Sequence, residues 1–357
     1  MKIAMQPEMV EVLSSITAPA DGYLAQARAH LNSLTKPLGS LGRLEDLAAQ
    51  WFVVRQGQLA HPVSKAVYVF AADHGIAAEG VSAYPPEVTQ QMVLNFLSGG
   101  AAINVLARLN HVEVNVVDVG VNADLSAHPA LFHRKVRRGS RNMLREAAMS
   151  EEELAAALSV GLSLAEVAFA KGHNMIAVGE MGIGNTTAAS VLTAALTGTL
   201  PGLVTGRGTG LDSEAYARKC RIVEEVLNRH FTLGAGPLEI LRCGGGLEIA
   251  AMTGMILGAA RRQIAIVLDG FISTAAAAIA CGLAPAVRPF LFAGHRSQEP
   301  GHRVLLAHLE IEPILDLDMR LGEGSGAVLA MPVLEAAMRL YQEMATFASA
   351  GVSEATP

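Results

Sequence analysis

Apolar residues along the chain fall into two rhythms. Short, mainly apolar runs at residues 66–70 (AVYVF), 112–119, 174–178, 264–268 and 289–292 are each followed soon by Gly, Asp or His. Runs of this length suit strands buried on both faces. Between them lie helical stretches of ten or more residues, at 86–109, 151–171, 186–196, 212–229, 247–262 and 271–281. Strands alternating with helices predict parallel βαβ units in an α/β fold, with ligands gathering at the carboxyl ends of the strands. A last candidate strand at 314–317 precedes a glycine-rich turn and a long helix over about 327–344. Residues 1–60 read as helices, and the final helix is expected to return onto them. The organisation expected is a small helical subdomain from both chain ends (1–60 with 327–357) beside an α/β domain over 61–326.

Composition narrows the class. Charged residues make up 17% and aromatic residues 4% of 357, and Ala, Val, Leu and Ile dominate the apolar half, as in close-packed helices on a buried sheet. A net charge of −6 gives no footprint for nucleic acid or an anionic membrane, so any phosphate must be held locally. The most basic stretch, HRKVRRGSRNMLR at 133–145, reads as a solvated loop, with a phosphate or partner contact as the alternative. No apolar segment is long enough to span a bilayer without interruption, and the start MKIAMQPEMVEVL has no signal-peptide core, so a cytoplasmic protein is expected. Cys220, Cys243 and Cys281 lack metal-ligand spacing and read as free thiols.

Six segments can carry chemistry. Residues 71–92 (AADHGIAAEGVSAYPPEVTQQM) end the first strand; Asp73-His74-Gly75 is ordinary turn chemistry, while Ser82, Tyr84, Gln90 and Gln91 form a neutral polar and aromatic patch suited to an uncharged heteroaromatic ligand. GEMGIGNTTAASVL at 179–192 places glycines, Asn185 and Thr186 at a helix N-terminus that stabilises phosphate, although Asn185 or Thr186 also reads as a simple N-cap. Glu180 is the acid within that loop. VTGRGTGLD at 204–212 opens a helix carrying Lys219, and matches neither a P-loop nor a dinucleotide fingerprint. CGGGLEIAAMTG at 243–254 reads as close helix packing, and the following strand ends in a lone Asp269 where a metal-dependent diphosphate donor would call for paired acids. FAGHRSQEPGH at 292–302 gathers His295, Ser297, Glu299 and His302, with a capping serine in a polar turn as the plain alternative. In LDLDMRLGEGSGA at 315–327, Glu323 stands between two glycines, where a flat ligand can approach and partial burial would raise its pKa toward that of a general base.

These segments in this order, preceded by KPLGSLGRLE at 36–45, resemble the nicotinate-nucleotide:dimethylbenzimidazole phosphoribosyltransferase family over about residues 34–344. Each glycine loop is unspecific alone; the ordered set is specific. The resemblance implies a Rossmann-like three-layer α/β domain with a mainly parallel sheet and a small helical subdomain, working as a homodimer. It implies transfer of the phosphoribosyl group of nicotinate mononucleotide to a benzimidazole, with neither metal nor cofactor. By matching motif it makes Glu323 the general base and Glu180 a second acid. Ser82, Tyr84, Gln90 and Met92 then resemble the benzimidazole wall, and Gly182, Gly208, Lys219 and Ser297 the cradle of the phosphate and ribose. Two other classes compete: an NAD-dependent oxidoreductase, whose fingerprint is missing, and a non-catalytic azole or nucleotide carrier, which needs no Glu323.

Overall fold

A computed structural model describes residues 7–20, 22–58, 63–231 and 234–353; the remainder of the expected 1–60 and 327–357 unit, including residues 1–6 and 354–357, lies outside them. Among the described residues seven strands form one sheet: β1 Lys65–Ala72, β2 Glu113–Gly120, β3 Leu131–His133, β4 Met175–Met181, β5 Ala265–Leu268, β6 Leu291–His295 and β7 Pro313–Leu315. Their order is β3-β2-β1-β4-β5-β6-β7, and every pairing is parallel. The order reverses between β1 and β4, so this is a doubly wound sheet whose crevice opens at the carboxyl ends there. Helices cover both faces, as the α/β reading required. Leu247–Arg261 and Phe271–Leu283 lie on one face, and Val88–Leu97, Ala102–Leu109 and Ser325–Glu343 on the other.

The helix Leu247–Arg261 is buried from Leu247 through Ala260 because Glu151–Ala170 stacks outside it. The crossing is backbone on backbone: a Cβ on Gly161 would collide with the Ala251 carbonyl, and one on Gly254 with the Leu158 carbonyl. Two helices start where local capping chemistry dictates. Ser150 accepts the Glu153 N–H, and Asp212 accepts the Ala215 N–H at 2.8 Å. At the chain ends, KPLGSLGRLE folds around a buried pair in which Lys36 Nζ lies 2.8 Å from Glu45 Oε1. His30 bonds the Tyr341 carbonyl at 2.7 Å, and Arg43–Val54 packs on the helix Ser325–Glu343. The first turns of that same helix lie on β4, β5 and β6.

Four local readings are corrected. The helix expected over 86–109 is two helices, broken where Gly99 adopts φ +78°. Asn104 welds the break by accepting the Ala101 N–H at 3.1 Å and donating to the Phe96 carbonyl at 3.0 Å. The strand expected at 289–292 begins only at Leu291, since Pro289 has no N–H for a ladder and ends a 3₁₀ turn over Pro285–Phe290. The helix Pro237–Gly244 and the strand β3 were not anticipated. Finally, the basic stretch 133–145 is a packed strap in place of a solvated loop. Met143 is fully buried, and Arg138, Arg141, Arg145 and Lys135 pair with Asp124, Glu153, Glu79 and Asp118. Ser140 donates its N–H to the Asp73 carbonyl and accepts that of Gly75, which fastens the loop after β1.

Candidate active site

A cavity of about 510 Å³ opens at the carboxyl ends of the strands. β4 delivers Glu180 and Met181, β5 leads to Asp269, β6 to His295 and Ser297, and the turn after β7 brings Arg320, Leu321 and Glu323. The segment after β1 adds Tyr84, Val88 and Met92. Segments following five different strands, widely separated in sequence, therefore meet in one place.

The turn carrying Glu323 is unusual. Gly322, Glu323 and Gly324 all have positive φ, at +91°, +65° and +88°. For a glutamate this conformation costs on the order of 1–3 kcal/mol, and strain of that kind clusters at functional sites. Close contact on both sides explains the flanking glycines. A Cβ on Gly322 would strike Glu180 Oε1, and one on Gly324 would lie 2.7 Å from Val67 Cγ2. Opposite, Gly179 in β4 abuts the Glu323 backbone, where a Cβ would sit 2.5 Å from the Glu323 carbonyl carbon.

Burial dominates the electrostatics. Desolvation, with a smaller push from the Asp269 carboxylate, raises Glu323 to about 7, while the Ile103 N–H donating to its Oε2 at 3.4 Å pulls the other way. Glu180 is raised further, to about 8, first by burial and then by Asp269 and Glu248; the Asn185 amide that donates to it opposes this. Two carboxyls in one cleft, both raised mainly by burial, are candidates for proton transfer near neutral pH.

Beneath the glycine loop of 182–184 the polar groups are spent on each other. The Ile183 N–H goes to Thr89 Oγ1, that of Asn185 to the Gly182 carbonyl and that of Thr187 to the Gly184 carbonyl. These three amides are engaged within the fold. Gly184, at φ +99°, occupies the N-cap position assigned to Asn185 or Thr186. His74 forms a wholly buried pair with Glu248 under this loop. Lys219 is fully buried and donates to Thr186 Oγ1 at 2.8 Å. Burial lowers its pKa to about 8 against the pull of Glu299. Thr186, having accepted from an ammonium, has its own O–H free to donate into the cavity that it lines. Arg320 bonds the Gly208 carbonyl at 2.8 Å, and Glu299 accepts the Gly208 N–H at 3.0 Å.

Of the residues singled out in the sequence, Glu180, Glu323, Tyr84, Met92, Gly182, Gly208 and Ser297 line the cavity. Ser82, Gln90 and Lys219 do not. Ser82 instead lies 3.2 Å from Thr209 Oγ1, which also accepts the Ala83 N–H, so it ties the β1 loop to the Gly208 loop. Lys219 stands behind Thr186 and Gly208. Sequence reasoning gave no role to Arg320 or Thr209 and treated Asp269 as an acid without company. Asp269 is 3% exposed and has company of another kind: its carboxylate accepts backbone N–H groups from Gly324, Gly326 and Ala327. A strand-end acid directly before Gly270 was the available signal.

Acidic side chains thus line a crevice at the carboxyl ends of a doubly wound sheet, with a buried lysine behind one wall. A family model described as phosphoribosyltransferase matches residues 16–352, which gives the class. The nicotinate-nucleotide–dimethylbenzimidazole phosphoribosyltransferases of Chloroflexus aurantiacus and Geobacter metallireducens are each 50% identical over 348 residues, spanning 97% of this chain and 99% and 98% of theirs. The crystal structure of CobT from Thermus thermophilus superposes with a TM-score of 0.91 at 50% identity, covering 94% of this chain and 100% of that one. The chain belongs to the nicotinate-nucleotide:dimethylbenzimidazole phosphoribosyltransferase family.

Proposed function

We propose that the enzyme moves the 5-phosphoribosyl group of nicotinate mononucleotide to 5,6-dimethylbenzimidazole, giving α-ribazole 5′-phosphate and nicotinate for the nucleotide loop of a cobamide. The observation that carries the reading is Glu323, held against its conformational preference between two glycines and facing the cavity with a proton affinity near neutrality. One azole nitrogen attacks the anomeric carbon as the bond to the pyridinium nitrogen breaks, and Glu323 takes the proton from the other azole nitrogen. The pyridinium departs as neutral-ring nicotinate and requires no acid. Orientation supplies much of the rate, since aligned reactants save on the order of 7–11 kcal/mol. Glu180, its pKa raised by burial, stands beside the reacting groups as the second acid. Thr186 with Lys219 behind it and Ser297 hold the phosphate and ribose, against a wall that Gly182 and Gly208 line. Tyr84 and Met92 wall the azole, with Ser82 acting through the loop it fastens and Gln90 one position from Thr89, which anchors Ile183.

The acceptor is chosen by apolar area. Each buried methyl carbon contributes roughly 0.8 kcal/mol, so two on the benzimidazole favour it about tenfold over the bare ring. Adenine, whose amine would lose water without a charged partner, ranks last. Supplying the three bases at equal concentration with nicotinate mononucleotide and resolving the products by chromatography checks this order. A predominant adenine product would sink the acceptor assignment.

We also propose a cytoplasmic homodimer. The thiols of Cys220, Cys243 and Cys281 are all free, in keeping with a reducing compartment. Leu94, Val105 and Leu109 expose apolar surface on neighbouring helices, as an interface would. Light scattering should give twice the chain mass, and a monomer at micromolar concentration refutes the dimer. The helical unit from both chain ends is supported by the packing of Arg43–Val54 on Ser325–Glu343.

A further inference from the structure

We infer that Asp269 is the positioning residue of the base: from the end of β5 it pins the left-handed turn that presents Glu323. The inference rests on the assignment of Glu323 as base. Asp269 Oδ2 accepts the Gly324 N–H at 3.1 Å, and Oδ1 accepts those of Gly326 at 2.6 Å and Ala327 at 3.1 Å. Both carboxylate oxygens are therefore committed to the first turn of the helix Ser325–Glu343. Where a described helix takes a side-chain cap from the residue just before it, that residue is Ser150, Asp212 or Thr346. This helix has Gly324 at its N-cap position, which offers no side chain, and takes its cap from another strand. The reason lies in the turn. Gly322, Glu323 and Gly324 must all hold positive φ, so the preceding residues cannot also supply a capping side chain, and the anchor has to come from outside.

The groups facing Asp269 are consistent with this role. His295 Nε2, from β6, lies 3.8 Å from Oδ1; Glu180 comes from β4, and Glu323 itself stands at the turn, held on its other side by the Ile103 amide. A cap that is also a negative neighbour keeps the proton on Glu323 more tightly than burial alone. Asparagine cannot replace it. With one acceptor oxygen, its amide end meets either the Gly324 N–H or the Gly326 and Ala327 N–H groups donor to donor.

Asp269→Asn is made in the wild-type chain and in Glu323→Gln, and both are assayed with nicotinate mononucleotide and dimethylbenzimidazole. In the wild-type background kcat is expected to fall about tenfold, with both KM values within about twofold. The acid limb of the kcat profile moves to lower pH, because a negative neighbour has gone. In the Glu323→Gln background no further loss follows, since Asp269 acts only through that side chain. An unchanged kcat in the wild-type background, a rise in KM alone, or a full additional loss in the Gln background overturns the inference. If Glu323→Gln itself keeps its turnover, the base assignment fails first and this inference goes with it. Should Asp269→Asn not fold, Asp269→Ala is titrated with formate, whose carboxylate can enter the vacated space. Recovery of kcat supports the pinning role, and no recovery refutes it.

Discussion

Glu323→Gln should fold normally, bind both substrates and lose roughly two to four decades of kcat, the usual range for removing a general base. The substitution is nearly isosteric, and its carbonyl oxygen can still accept the Ile103 N–H, so the turn between Gly322 and Gly324 has no cause to relax. What disappears is the ability to take a proton. The pH dependence makes a second mark. Burial sets the Glu323 carboxyl at about 7; only the ionised form accepts a proton, so wild-type kcat should fall about tenfold per pH unit below that value. The Gln variant should show a flat residual rate over the same span. Steady-state kinetics between about pH 5 and 9 test both. Turnover within about threefold of wild type would remove Glu323 from the chemistry.

Lys219→Ala should raise KM for nicotinate mononucleotide by one to two decades and leave KM for the benzimidazole nearly unchanged. Hydrogen bonds to charged groups contribute about 1.5–3 kcal/mol, which is about 10- to 150-fold in affinity. The ammonium acts one atom removed: it donates to Thr186 Oγ1 and so turns that hydroxyl's proton toward the cavity. Thr186→Val should therefore reproduce much of the effect while the lysine remains. Equal changes in both Michaelis constants would mean that Lys219 supports the cavity as a whole and not the phosphate.

The sheet could be read in advance because buried parallel strands are mainly apolar, and six of the seven strands overlap a run of that kind. β3 escaped notice because it is three residues long and leads directly into the basic stretch. The broken helix at Gly99 escaped because apolar spacing resumes in phase beyond the break. Glu180 and Glu323 were visible through the glycines around them, as local geometry writes itself into local sequence. Asp269 was visible as a residue but not as a function, since the amides it holds lie 55 to 58 positions further along. Ser82, Gln90 and Lys219 belong to segments that reach the cavity without lining it themselves; Ser82 meets Thr209 and Lys219 stands behind Thr186. Motif spacing locates a segment and does not say which way its side chains turn.

The cavity is assembled from pieces of chain that differ in their freedom to vary. Gly322, Glu323 and Gly324 admit almost no replacement, because the conformation and the contacts on either side forbid it. Tyr84, Val88 and Met92, by contrast, come from the segment following β1, where Tyr84 is 55% exposed and no strained backbone constrains it. Substitutions in that segment can alter which flat base is accepted without disturbing the acids that handle the proton. A lineage whose supply of bases shifts can thus follow it by changing one loop and one helix face, while the reaction itself is inherited intact.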